Sequence, residues 1–333
     1  MSLLLNNIIL ILAGGLIYFT PAQASLFFEA HNRSQAEFRD DRAAGDTDIK
    51  GYRDIVLYNG QFLAVGTDGR IDYISNSGET TAVASTCKNN LNCLVSRDKI
   101  VIVVGDNGTI LFSSDGQVFT RAESGTDKHI NGIAITNELL IAGADKGTIL
   151  ISKNGKNWNS IHLEVRGNIV SVAANDSFCI GVTDSGEIIR SYDGLNWEIS
   201  DYNKEYSGYI KSCIFNKAFL TKNRIFIIGT HDDGTPAVLF SSLGNVWTER
   251  SLTYNDDHGM PRILSNKPND LAYDQAGDQI FLACDNGEIL SLPSCTKCNE
   301  SVTISTNDIY GIILTENLLL SVGEGFSVNI LRL

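Results

Sequence analysis

The chain repeats itself at intervals of 38 to 54 residues. Ala64 to Gly69, Val103 to Gly108, Ile141 to Gly147 and Ile180 to Gly186 align on a hydrophobic residue, a glycine, and an acidic turn that ends in glycine. Weaker copies run from Ile228 to Gly234, Ala283 to Gly287 and Val322 to Gly325. The leading glycines fall at 66, 105, 143, 181, 229 and 323, with Ala283 in the sixth unit, so the spacings are 39, 38, 38, 48, 54 and 40. A period of this size marks an array in which each unit needs its neighbours to cover its faces.

Each unit reads as four short strands. The third unit gives Asn131 to Thr136, Leu139 to Gly143, Thr148 to Ser152 and Trp158 to Leu163, separated by Asn137-Glu138, Lys146-Gly147 and Asn154-Gly155. Asp-Gly and Asn-Gly pairs supply the positive φ angles that tight hairpins need. With 30 Gly, 5 Pro, 43% hydrophobic and 20% charged residues, the composition is that of a folded strand-rich chain rather than a disordered one. The expected fold is therefore all-β: a seven-bladed β-propeller of four-stranded antiparallel blades. The last unit, Tyr310 to Leu331, lacks an outer strand, so an N-terminal strand from Ser25 to Asp41 is expected to close the last blade.

Residues 1–24 read as a signal peptide and 25–333 as the propeller. Leu3 to Phe19 is uncharged and mostly apolar, and Ala22-Gln23-Ala24 offers a cleavage site before Ser25. An uncleaved anchor is the other reading, because Met1 supplies the only positive charge ahead of that stretch. No later segment is long and apolar enough to span a membrane. The mature chain is expected to be periplasmic or secreted. Seven cysteines suit an oxidising compartment. Cys87 with Cys93, and Cys295 with Cys298, read as local disulfides, the latter pair with a redox or half-zinc reading beside it. Cys179 and Cys284 read as buried thiols, and Cys213 as paired or free.

Four units carry a common hairpin after the third strand: Ser113 to Phe119, Ser152 to Trp158, Ser191 to Trp197 and Ser241 to Trp247. It resembles the Asp-box repeat of sialidase-like propellers and, with the preceding Gly-Thr-Ile-Leu, the photosystem II stability/assembly factor-like family. The hairpin is one residue shorter between Asp and the aromatic than that box. Asp115, Asn154 and Asp193 are read as structural acceptors of turn amides, and Trp158, Trp197 and Trp247 as packing between sheets. The sialidase resemblance implies an arginine triad, a Tyr-Glu pair and an acid at the channel mouth. The early Arg-Ile-Pro signature is absent, and Arg53 and Arg70 lack its flanking residues. A non-catalytic chain is expected, with a glycan-active hydrolase as the alternative.

A formal charge of −13 argues against nucleic acid as a partner. Strand direction puts the turns between strands two and three on one face, which gathers Asp68, Asp106, Asp145, Asp184, Asp232, Asp233, Asp285 and Glu324. Turn chemistry explains such residues, and a surface for a basic partner or a cation is the sharper reading. Blade five breaks the period. His231, Asp232 and Asp233, and Asp256, Asp257 and His258, are read as belonging to that blade, with strand direction putting both sets on the acidic face and Tyr206, Tyr209 and Tyr254 on the flanking loops. These residues form the candidate contact region for a protein partner. No cofactor is expected, with calcium or zinc as the reading to test at the His/Asp set.

Overall fold

The computed structural model describes residues 8–12, 15–19, 49–206, 211–250, 252–255, 258, 260–293 and 300–333. They form seven antiparallel blades in a ring. Blade one comprises Tyr52–Tyr58, Gln61–Gly66, Ile71–Ile74 and Thr80–Ala82; blade two, Leu91–Arg97, Ile100–Gly105, Thr109–Ser113 and Thr120–Arg121. Blade three comprises Ile130–Ile135, Leu140–Ala144, Thr148–Ser152 and Asn159–His162; blade four, Ile169–Ala174, Cys179–Thr183, Glu187–Ser191 and Glu198–Asp201. Blade five comprises Cys213–Leu220, Ile225–His231, Pro236–Ser241 and Thr248–Glu249; blade six, Pro268–Asp274, Gln279–Cys284, Glu288–Pro293 and Glu300–Thr303. Blade seven has Ile309–Leu314, Leu318–Gly323 and Val328–Arg332.

The outer edge of blade seven is met by Ile8–Leu12 through the pair Ile9 and Arg332, and Gly15–Phe19 extends the sheet as a hairpin. An N-terminal strand thus completes the last blade, from a point in the chain earlier than Ser25 to Asp41, which lies outside the described residues.

A blade is too thin to own a core, and the burial follows the joints between blades. Tyr58, Leu63 and Val65 of blade one pack on Leu91, Val101 and Val103 of blade two. At the point of closure, Tyr52, Phe62 and Ala64 of blade one pack on Leu320 and Val322 of blade seven. First and last blades therefore share a core as sequential neighbours do, and the ring is shut by the same hydrophobic force that stacks it.

The recurring glycine has a steric cause. Every inner strand carries a bulge near its start, for example between Tyr52 and Asp54 and between Leu91 and Cys93. The bulge presses that strand onto the end of strand two. A Cβ at Gly66, Gly105, Gly229 or Gly323 would lie 2.9 to 3.0 Å from the Cα of Tyr52, Leu91, Phe215 or Ile309, respectively.

The hairpins joining strands three and four are built alike. Ser113 Oγ accepts from Gly116 N at 2.9 Å, and Asp115 Oδ1 accepts from Gln117 N and Val118 N at 2.8 and 2.9 Å. Asn154 Oδ1 accepts from Lys156 N and Asn157 N at 2.9 and 3.0 Å; Asp193 Oδ1 does so from Leu195 N and Asn196 N at 2.8 and 2.7 Å. Trp158 lies in the core between blades two and three, Trp197 against that between three and four, and Trp247 in that between four and five. Trp158 and Trp197 also donate Nε1–H to Gly155 O and Gly194 O.

The expected Cys87–Cys93 disulfide is absent, and both thiols are free. Cys87 packs against the core between blades one and two, whereas Cys93, inside the inner strand of blade two, packs against the core between blades two and three. Their short separation in sequence is thus divided by a sheet. Cys179, Cys213 and Cys284 are buried free thiols, while Cys295 and Cys298 lie outside the described residues.

Candidate functional site

The bulges make a ring around the central channel. The residue after each extra bulge position is Asp54, Cys93, Gly132, Ser171, Lys217, Asp270 or Gly311 in blades one to seven. Several of these side chains bond the backbone of the next blade. Asp54 Oδ2 accepts from Leu94 N at 3.0 Å, Ser171 Oγ from Ala218 N at 3.2 Å, and Asp270 Oδ2 from Ile312 N at 3.0 Å. Lys217 places Nζ 2.6 Å from Asp270 Oδ1 and 3.7 Å from Asp54 Oδ1, joining blades five, six and one across the lumen. Burial opposes the Lys217 charge, yet the Asp270 and Asp54 carboxylates hold its pKa well above the ordinary lysine range. Burial raises Asp270 above the usual carboxylate range despite Lys217. Burial, with Asp54 beside it, keeps the Cys93 thiol protonated.

The extra bulge residue carries a second device. Asn92 donates from Nδ2 to Asp106 Oδ1 at 2.9 Å and to Ile130 O of blade three at 3.0 Å. Asn131 does the same to Asp145 Oδ1 and Ile169 O, both at 3.0 Å, and Asn269 to Asp285 Oδ1 at 2.7 Å and Ile309 O at 3.0 Å. The repeated acids are therefore partly consumed in fastening blades. Asp184 accepts from Asn168, and Asp68 pairs with Lys50 at 2.6 Å. Burial works to raise Asp106, but hydrogen bonds from Asn92, Asn90 and His129 outweigh it and hold the carboxyl below its usual range.

At blade five the expected contact residues divide. His231 is buried within the blade, its Nδ1 3.3 Å from Cys213 Sγ and its Nε2 2.7 Å from Glu249 Oε1. This thiol, imidazole and carboxylate line up as a nucleophile, base and orienting acid would. Burial, with Glu249 and Asp232 adding to it, pushes the Cys213 thiol up to about 12. A covered, protonated thiol is no nucleophile at neutral pH, and the chain of hydrogen bonds acts to fix the strand ends. Asp232 and Asp233 are exposed, Asp233 pairing with Lys211 and accepting from Thr235 N at 3.1 Å. Tyr206 stacks on Tyr202 at 4.7 Å, and its hydroxyl accepts from Trp247 N at 3.2 Å.

Between blades five and six the chain forms an inserted hairpin, Thr253–Asn255 with Pro261–Ile263. Tyr254 packs against the core between these blades, and burial raises its phenol pKa. His258, Met260 and Ile263 are exposed, Met260 at 58% and Ile263 at 71%. Asp256, Asp257 and Tyr209 lie outside the described residues. Among the described residues, no group of three or more His, Cys, Asp or Glu side chains is placed to hold a metal ion. No described helix is long and apolar enough to cross a membrane.

Sequence reasoning singled out neither the Asp54, Lys217 and Asp270 brace nor Glu249. Asp54, Lys217 and Asp270 occupy the same post-bulge position of three blades but differ in type, so no motif announces them. The repeat alignment fixes their common position, which was the available signal.

No family model matches the chain, and no curated protein matches it by sequence. Solved structures do. The chain is similar to YCF48 bound to D1 peptide, with a TM-score of 0.64 and 16% identity over 86% of this chain and 92% of that one. It is similar to the WD40 β-propeller domain of Doa1, with a TM-score of 0.62 and 10% identity over 86% and 94%. The extracellular domain of the putative hybrid two-component system BT4673 from B. thetaiotaomicron gives 0.62 and 13% over 87% of this chain and 39% of that one. At these identities the likeness establishes the propeller fold.

Proposed function

We propose that the chain is an exported, non-catalytic propeller that acts as a protein-binding or assembly scaffold. Its contact region is the acidic face around blade five. The observation that carries this reading is the hairpin inserted between blades five and six. Strand order projects it on the face that bears Asp232 and Asp233, and it exposes Met260 and Ile263 where the repeat alone would leave a short connection. Apolar anchors beside exposed carboxylates suit a partner with a basic, partly apolar surface. YCF48, a neighbour in fold, was solved with a peptide bound, which agrees with a binding role. The Ser-x-Asp-Gly hairpins support kinship with Asp-box propellers and with assembly factors of that kind.

Export rests on the leader-like residues 1–24. The experiment for the function compares capture of partners from the cell envelope by wild type and by a variant carrying Asp232→Asn, Asp233→Asn and Ile263→Asp. The reading expects a partner retained by wild type and lost by the variant. Turnover of a chromogenic glycoside, abolished by neutralising one channel carboxylate, would instead establish the hydrolase alternative.

A further inference from the structure

On the face opposite the acidic surface, blades three and four leave an open groove of about 790 Å³. The volume falls in the range of small-ligand clefts. Blade three lines one wall and blade four the other, with Leu139 and Phe178 apolar and Asn137, Asn175 and Asp176 polar among the lining residues. The two walls are tied, because Asn137 N of blade three donates to Asp176 Oδ1 of blade four at 3.1 Å. Tyr192 is 69% exposed, so most of its ring is open to solvent at the groove. It is nevertheless held in place, edge-on to Phe178 with centroids 5.3 Å apart. The hairpin that follows it is locked by the Asp193 bonds to Leu195 N and Asn196 N.

We propose that this groove binds a neutral oligosaccharide. The C–H face of a pyranose ring fits a rigid, exposed aromatic face. Sugar hydroxyls both donate and accept; the Asn137 side-chain amide answers both roles, Asn175 offers its Nδ2 donors while its Oδ1 accepts from Ser177 N at 3.0 Å, and Asp176 accepts. The charge of the groove disfavours an anionic ligand: Lys153 is the one cation among its lining residues, against Glu138, Asp176 and Asp193. A sulfated or sialylated chain meets net repulsion there. The inference concerns the face opposite the proposed protein contact and stands or falls independently of it.

The test is calorimetric titration of the full chain with cellohexaose, maltohexaose and N-acetylchitohexaose, with a sulfated oligosaccharide as the charged control. One or more neutral probes should bind, and Tyr192→Ala should weaken that binding by about tenfold or more. The melting temperature should not move, because the Tyr192 ring is mostly in solvent. Asp176→Asn, which keeps an acceptor, should retain binding better than Asp176→Ala. The proposal is overturned if no neutral probe binds at about 10 mM, if binding survives Tyr192→Ala, or if the sulfated control binds as tightly. Loss of a captured protein partner on Tyr192→Ala would also overturn it, by assigning the groove to a protein.

Discussion

Lys217 on the inner strand of blade five sets its ammonium 2.6 Å from Asp270 Oδ1 on blade six, with Asp54 Oδ1 of blade one 3.7 Å away. Each carboxylate is already committed to a backbone amide of the next blade, Asp54 to Leu94 N and Asp270 to Ile312 N. The brace therefore couples the channel charges to the bulges that set the pitch of the ring. Lys217→Met should lower stability by about 3 to 5 kcal/mol, because it leaves two enclosed carboxylates without their cation. Asp270 already has a raised pKa in the folded chain. Removing Lys217 raises it further, so the variant should be least impaired in acid and lose stability as pH rises through that pKa. Chemical denaturation of both proteins across pH checks this; a deficit that does not change with pH contradicts it.

The hairpin carboxylates titrate the other way. Asp115 and Asp193 are held below the usual carboxylate range, Asp115 by the amides of Val118 and Gln117 and Asp193 by the amide and side chain of Asn196 and the amide of Leu195. Their contribution is complete above the ordinary carboxylate pKa of about 4 and is lost as pH falls below it. Blade three makes the same bonds with the uncharged Asn154. Asp193→Asn should accordingly keep the hairpin and flatten the acid limb of the melting curve. A steeper acid limb in the variant would count against this account.

Asn131 joins blade three to blade four. Asn131→Ala removes the donor for both Asp145 Oδ1 and Ile169 O, and should cost about 1 to 3 kcal/mol in denaturant unfolding. A cost near zero would show that the repeated acids do not need their asparagine partners.

The thiols give a prediction about reactivity. Burial pushes Cys179 up to about 11 and Cys213 up to about 12, and Cys93 and Cys284 are raised well above the ordinary range. Cys87 and Cys93 are both part-exposed; with the Cys93 thiol raised, Cys87 should take up iodoacetamide first in the native protein, Cys93 more slowly, and the buried Cys179, Cys213 and Cys284 after unfolding. Peptide-level mass spectrometry reads this by position. A Cys87–Cys93 crosslink in protein purified under oxidising conditions would contradict the separation of the two thiols.

Residues 8–19 have two uses that exclude one another in one mature chain. Cleavage after Ala24 removes them, whereas retention leaves Ile8–Leu12 on the edge of blade seven. The export proposal predicts an intact mass beginning at Ser25. A mass that includes Met1 or Ser2 at the N-terminus would overturn cleavage and leave those residues to an uncleaved anchor or to the edge of blade seven.

Much of the architecture was legible because the signals were local and repeated. The hairpin residues Asp115, Asn154 and Asp193 act on amides two and three residues ahead, a relation visible in one dimension. The third unit was expected to start its second strand at Leu139 and starts it at Leu140. Relations between blades were not legible. Lys217 meets Asp270 and Asp54 across a lumen that exists only after the ring closes, and no spacing in the chain encodes their meeting. His231 shows the same limit from the other side. The sequence places it beside Asp232 on a turn, but strand alternation sends its ring inward to Cys213 and Glu249.

The central claim is a protein contact on the acidic face at blade five. Its most direct test is the affinity of the captured partner, measured by surface plasmon resonance at two salt concentrations, for wild type, for Asp232→Asn with Asp233→Asn, for Ile263→Asp, and for Tyr192→Ala. The account predicts that both changes on the acidic face weaken binding by about tenfold or more, that salt weakens wild type more than the Asp232 and Asp233 variant, and that Tyr192→Ala binds as wild type. Affinity and salt dependence unchanged in the Asp232, Asp233 and Ile263 variants would contradict it.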